Sequence, residues 1–261
     1  MEINEQFIDV DFSKHPQFVP GFNGYGNAER FGDYAAAAPV LSRSQIIAEA
    51  EKAAAEGTGN ANLIVEVKNQ RNEGSCVGNA STQGLQVIQA RRLGKEQVTL
   101  LSAIATYKQI GRSPNSGAMV DDSMEALENV GTLPLDTPAN RAKFGDQVMP
   151  ATGFYTKFPG DWKQTARQFR LGEVLVVRGF EALLSALLCG HPVVVGREGH
   201  SILYLDVIVR NDRLYALYVN SWGQWGQGAG DFSYGFGLDT ESQIKKSAGW
   251  AYAMRSMVER A

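Results

Sequence analysis

Hydrophobic positions along this chain change their period part-way. Residues 42–57 put Ile46, Ile47 and Ala53 at helical spacing, behind Ser42 or Ser44 as a cap and ahead of Gly57 or Gly59 as a stop. Residues 76–93 place Val77, Ala80, Leu85, Ile88 and Leu93 on a helix that Gly94 ends. TLLSAIATYKQI (99–110) and DDSMEALENV (121–130) predict two more helices, the second with Asp121 and Asp122 at its positive dipole end. After residue 170 the runs become short and β-branched: GEVLVVRG, PVVVG, SILYLDVIVR and RLYALYVN. Asn211-Asp212 separates the last two as a hairpin turn, and LLSALLC (183–189) reads as a helix between the first two.

Helices first and strands later predict an α+β fold of two lobes, with a site in the cleft between them. Residues 1–60 differ from both. PGFNGYGNAERFGDYAAAAP (20–39) reads as an extended or irregular arm packed on something else, and EGTGN (56–60) as a linker. The domain reading is therefore an arm over 1–60, a helical lobe over 61–150 and a mainly β lobe over 151–261.

Composition narrows the function classes. The 261 residues carry a net charge of −3, which excludes a globally basic nucleic-acid-coating protein. With 44% hydrophobic and 20% charged residues the chain is a folded globular one. Two cysteines and three histidines make neither a disulfide framework nor a visible zinc cluster. No run of about 18 apolar residues spans a membrane, and MEINEQFIDVDF lacks the basic start and apolar stretch of a secretory signal. The expected setting is a reducing interior or an assembly such as a virion. Each cysteine then needs its own explanation.

Cys189 sits among Leu and Ala and reads as a small buried hydrophobe. Cys76 follows Gly74 and Ser75 and opens a helix, where the dipole favours thiolate and the small neighbours admit a substrate. A nucleophilic thiol needs a base. His15 has no context, and His191 precedes Pro192 as a strand-entry residue. His200, at the start of SILYLDV after a turn at Gly199, projects toward an interlobe cleft. Asn220, at the end of RLYALYVN, is an orienting group for an imidazole, and Trp222 a cover for that bond. Gln70, six residues before Cys76, offers side-chain N–H groups to an oxyanion beside the Cys76 backbone N–H. Taken singly, each has a plainer reading: a packed histidine, an Asn-Ser-Trp-Gly turn, a surface glutamine.

Together these motifs resemble the papain-like cysteine peptidases (peptidase C1-like) over roughly residues 60–230. VKNQRNEGSC, GHSILYLDV and YVNSWGQWGQG stand in the family's order, with 124 and 144 residues from Cys76 to His200 and Asn220. SPNSGAMVDDSMEALENVG looks like the family's Asn-Gly-Gly segment, which gives Gly117 the role of binding substrate backbone. The resemblance implies a two-lobed fold with an antiparallel, barrel-like β lobe. It implies Cys76 as nucleophile, His200 as its base and acid, Asn220 as orienter, and Gln70 in the oxyanion hole. It implies peptide-bond hydrolysis through a thioester, with no metal or organic cofactor. Departures are Val77 after the nucleophile, Glu73 and Pro114 in place of the usual disulfide region, and Gly199 before the histidine, which opens that side of the site. Glu73 and Glu198 add negative charge near it, or are ordinary solvated loop residues. The arm is a self-inhibiting segment, a structural wrap, or a dock onto itself or a larger assembly. The competing functions are a structural or assembly protein on the same scaffold, and an amidase or transferase using the same Cys-His pair.

Overall fold

The computed structural model describes residues 4–258. The arm contributes β1 (Phe22–Gly24), β2 (Gly32–Asp33), α1 (Tyr34–Ala37) and α2 (Arg43–Glu56). At the start of α2 the Gln45 side chain accepts from the Ser42 backbone N–H at 2.9 Å, and Gly57 ends the helix at φ +66°. The helical part holds α3 (Cys76–Leu93), α4 (Ala103–Ile110), β3 (Ala118–Met119), α5 (Val120–Asn129), α6 (Pro138–Phe144) and α7 (Trp162–Ala166). The remainder is β4 (Leu171–Val177), α8 (Phe180–Leu188), β5 (Val193–Arg197), β6 (His200–Arg210), β7 (Arg213–Val219), β8 (Gln227–Ala229), β9 (Phe232–Thr240), α9 (Glu241–Ser247) and β10 (Ala251–Met257). The α+β reading and its helix and strand assignments hold, with α4 starting later than its apolar run because Ser102 caps it through the Ala105 N–H.

Among the described residues one sheet runs β2-β4-β10-β5-β6-β7-β9-β8, antiparallel except where β2 joins β4. Its edges do not pair with each other, so the expected barrel-like lobe is an open sheet. The sheet is buried on both faces. Val194, Tyr252 and Met254 pack toward α3, while Val193, Val195, Ala251 and Ala253 pack toward α8 and α2. That two-sided burial is why PVVVG is continuously apolar. Asn211 and Asp212 take φ of +50° and +58°, the pair of left-handed residues that a two-residue hairpin turn requires.

Helix α3 is enclosed on every side from Cys76 to Ala90, polar residues included. Its apolar stripe is accordingly weak in the sequence. Gln83 Nε2 donates to the Glu66 carbonyl and Gln86 Oε1 accepts from the Leu101 N–H, while Gln86 Nε2 is buried with no hydrogen bond. Leu93 is only half-buried at the helix end. Gly84 lets α3 approach the sheet, since a Cβ there would overlap the Met254 sulfur.

Two further expectations change. Cys189 is exposed rather than buried, because α8 ends on it, and it accepts a hydrogen bond from Tyr34 at 3.4 Å. The arm is more ordered than its composition suggests. Its second half is built into the sheet and the lower core through β2, Tyr34, Ile46 and Ala50, and only its first half is a strap across the surface. Both cysteines are free thiols, and among the described residues no helix is long and apolar enough to cross a membrane.

Candidate active site

Cys76 is the first residue of α3 and is fully buried. Its thiol lies against the backbone N–H of Ser201, the residue after His200, and burial pushes it up to about 12 despite that N–H and those of Val77 and Cys76. His200 opens β6 opposite Arg197. Its Nε2 is 2.8 Å from Asn220 Oδ1, and its Nδ1 is buried with no hydrogen bond. Asn220 is fixed by its own N–H to Gly235 O at 2.9 Å and by the Ser221 N–H, which donates to the same Oδ1 at 2.7 Å. The Trp222 ring covers the pair, 4.8 Å from the imidazole.

Gln70 is buried, not a surface residue. Ser221 Oγ donates to its Oε1 at 2.5 Å, and its Nε2 donates to Glu73 O at 2.8 Å. One N–H of the amide remains for another acceptor. Segment 68–70 runs beside 221–223 through Gln70 N to Ser221 O and Gly223 N to Lys68 O, which ties the Gln70 loop to the Asn220 loop. Gly74 N donates to Pro114 O at 2.8 Å. Glu73 Oε1 accepts from Gly153 N and Phe154 N at 3.0 and 2.9 Å, so this carboxylate staples a neighbouring loop and is not simply a solvated residue. Glu198 is exposed in the β5–β6 turn. His191 is half-buried next to β5 and pushed down to about 4 by burial.

The cleft is occupied by the strap. A Cβ on Gly21 would stand 2.5 Å from Gly74 O and 2.7 Å from Cys76 Sγ, so the Gly21 backbone lies directly on the thiol. Gly21 and Phe22 N–H donate to Gly199 O at 2.9 and 3.0 Å, and Ala118 N donates to Gly21 O at 2.9 Å. β1 then pairs in parallel with β3, next to Gly117 at φ +66°. Gly117, Gly199 and Gly74 are thus all lined by strap backbone. Further up the strap, Phe12 packs edge-on against His200 at 4.9 Å and His15 stacks on Trp222 at 4.4 Å. Arg197 donates to Val10 O and lies 4.3 Å from the Phe12 ring, and its other partner is the buried Asp239. Sequence reasoning missed Phe12, Arg197 and Asp239, and left His15 without a role. The glycines of PGFNGYG were the available signal that backbone approaches something closely there.

Burial also sets the imidazole's charge, and Phe12 of the strap is part of what covers the ring. Desolvation pushes His200 down to about 4 from 6.5, with Arg197 and His15 adding to it and the Asn220 bond opposing. The closed state keeps this advantage above pH 6.5 and loses it as pH falls toward 4, because an opened site takes up the proton first. Measured against a fully solvated imidazole, the loss for this one group is at most on the order of 3 kcal/mol. We expect the amides of Gly21 and Phe22 to lose hydrogen-exchange protection, corrected for intrinsic rates, between pH 7 and 4.5. Constant protection would contradict the linkage.

Among the described residues no three His, Cys, Asp or Glu side chains are grouped to hold a metal ion. No family model matches the sequence, and no curated protein matches it. Solved structures do. The digestive procathepsin L2 proteinase of Tenebrio molitor larval midgut superposes with a TM-score of 0.62 at 17% identity, over 93% of this chain and 81% of that one. The fold is papain-like. Digestive procathepsin L3 of the same insect gives a TM-score of 0.56 at 17% identity, over 74% and 67% of the two chains. Xylellain, a cysteine protease from Xylella fastidiosa, gives 0.52 at 17% identity, over 74% and 83%. At these identities the likeness is one of fold.

Proposed function

We propose that this chain is a papain-like thiol peptidase held latent by its own N-terminal strap. The observation that carries the reading is the 2.8 Å bond from His200 Nε2 to Asn220, under Trp222, with the thiol of Cys76 at the N-terminus of α3 held against the backbone N–H of the next residue, Ser201. With Nε2 engaged, Nδ1 is the nitrogen free to exchange a proton with a thiol. In an opened cleft, the Cys76 thiol passes its proton to His200 Nδ1 and Sγ attacks the substrate carbonyl carbon. The oxyanion is met by the remaining Gln70 N–H and the Cys76 backbone N–H. His200 gives its proton to the leaving amine as the C–N bond breaks and a thioester forms. His200 then takes a proton from water, hydroxide displaces the sulfur, and the acid product leaves. No metal enters these steps.

The test is hydrolysis of a fluorogenic peptide library by a strap-released chain. Activity is expected to fall by about three orders of magnitude or more in Cys76→Ala. Strap occupancy of the cleft favours one second reading, in which the scaffold serves a structural or assembly role and Cys76 is dispensable. That reading holds if the released chain hydrolyses nothing and Cys76→Ala retains the chain's biological role.

A further inference from the structure

EGTGN (56–60) enters none of the chemistry above, yet it walls a cavity of about 570 Å³ that shares no residue with the cleft. That volume falls within the range of small-molecule sites. The space exists because the residues around it are small. Ala50, Ala53 and Ala54 of α2 face it, and Gly57 and Gly59 of the linker follow them. Its apolar surface comes from Leu187, Val207, Leu217 and Phe232.

The linker holds this wall through built contacts. Both oxygens of Asp206 are spent on it, accepting from Asn60 N at 2.6 Å and Ala61 N at 2.9 Å. Asn60 Nδ2 donates to Leu205 O at 2.8 Å, and Asn62 Nδ2 donates to Gly57 O at 2.8 Å. The β8–β9 turn presses on it from outside the arm, since a Cβ on Gly230 would stand 2.6 Å from Ala61 O. A segment with so few side chains keeps its shape because its backbone polar groups are paired.

Among the described residues Arg91 is the one cation that lines the cavity, and Asp206 the one carboxylate. Arg91 Nη2 donates to Asn60 Oδ1 at 2.7 Å, and it makes no other hydrogen bond and no ion pair among the described residues. Its guanidinium lies over bare Gly190, where a Cβ would stand 2.7 Å from Cζ. Arg91 stays reachable from solvent. Even so, partial burial holds its pKa below the usual arginine value although Asp206 pulls it up. The cavity therefore contains a positive group whose N–H fork is mostly unspent, above an apolar floor.

We propose that this cavity is a binding site for an alkyl carboxylate, with the head on Arg91 and the chain on Val207, Leu217 and Leu187. A carboxylate matches the parallel N–H groups of a guanidinium. Asp206 nearby favours a guest of one negative charge over a doubly charged phosphate ester, which it would repel more strongly. The site joins α2 and the linker to the β lobe, so occupancy also fastens the second half of the arm. None of this rests on the peptidase reading.

Cys189 supplies the readout, since this exposed thiol lines the same cavity. Decanoate added to the full-length chain is expected to slow iodoacetamide alkylation of Cys189 by about tenfold or more at saturation, and to raise Tm. No protection, or a fall in Tm, overturns the site. Decanol has the same chain without the charge and should bind about tenfold or more weakly. Equal affinity of the two overturns the role of Arg91, and tighter binding of decyl phosphate overturns the carboxylate. Arg91→Met keeps the stem and should reduce decanoate to the affinity of decanol, with decanol unchanged. An undiminished preference for decanoate in this variant overturns the assignment of the head. Ala54 is exposed on α2, so Ala54→Phe fills the cavity without burdening the core and should abolish protection by both compounds. Undiminished protection there places the ligand elsewhere and overturns the proposal.

Discussion

Gly21→Ala is expected to raise the alkylation rate of Cys76 at pH 7 by about two orders of magnitude or more. In the intact chain two effects suppress the thiol. The Gly21 backbone lies on Sγ, leaving no path for a reagent, and burial holds the thiol near 12, so very little of it is thiolate at neutral pH. A single methyl cannot be accommodated at this position. Its carbon would stand 2.5 Å from the Gly74 carbonyl oxygen, which is backbone of the loop that leads into α3 and cannot rotate away. The strap must give instead, and with it the cover over His200. Once solvent reaches the pair, thiolate and imidazolium become each other's favoured partners. Iodoacetamide labelling followed by mass spectrometry reads the rate at Cys76, with exposed Cys189 as the internal control in the same molecule. A Cys76 rate equal in the two proteins would mean that the strap does not gate the site.

The largest stability loss is expected at Asp239. Its carboxylate is fully buried and receives Arg197, itself buried, together with Tyr204 Oη at 2.5 Å. Desolvation pushes Asp239 up to about 6 even with Arg197 opposite, so the pair contributes little net stability while intact. Breaking it is another matter. Asp239→Ala leaves a guanidinium in the interior with no counter-charge, at a cost of about 3–5 kcal/mol. For a chain of this size that corresponds to a fall in Tm of roughly 10 °C. The double change Arg197→Met with Asp239→Leu is expected to restore most of that Tm, since apolar packing replaces two desolvated charges. It should not restore the strap, because Arg197 also holds Val10 O and the Phe12 ring. Thermal unfolding and Cys76 labelling on the same pair of variants therefore separate the stability role of Arg197 from its strap role. Equal melting temperatures for Asp239→Ala and the unsubstituted chain would refute the first.

The strap links these two results to the rest of the cleft. Its contacts fall on the groups that chemistry would need: Sγ, the imidazole, the Trp222 face and the Gly199 carbonyl. Glu73 stands three residues before Cys76. It supplies two charge-assisted backbone bonds to Gly153 and Phe154, which hold that loop without an oxidised pair.

Local pattern alone determined a good deal about this protein. The helix behind Ser42, the helix behind Cys76, the strands PVVVG and SILYLDVIVR, and the Asn211-Asp212 hairpin follow from period, caps and turn residues, because these are set by neighbours within a few positions. The order Cys76, His200, Asn220 with Gln70 upstream was also legible, since fixed residue types at fixed spacing survive without a structure. What tertiary structure decided was everything that depends on contacts far apart in sequence. Arg197 with Asp239, Phe12 on His200 and Tyr25 on Gly196 join positions 42, 188 and 171 residues apart, a separation at which one chain's pattern carries no signal. Cys189 turned outward because α8 happens to stop there, and the β lobe stayed open because its edge strands never meet. Above all, only the fold placed PGFNGYG in the cleft. Its glycines announced close approach of backbone to something, and the packing of two distant segments made that something the thiol.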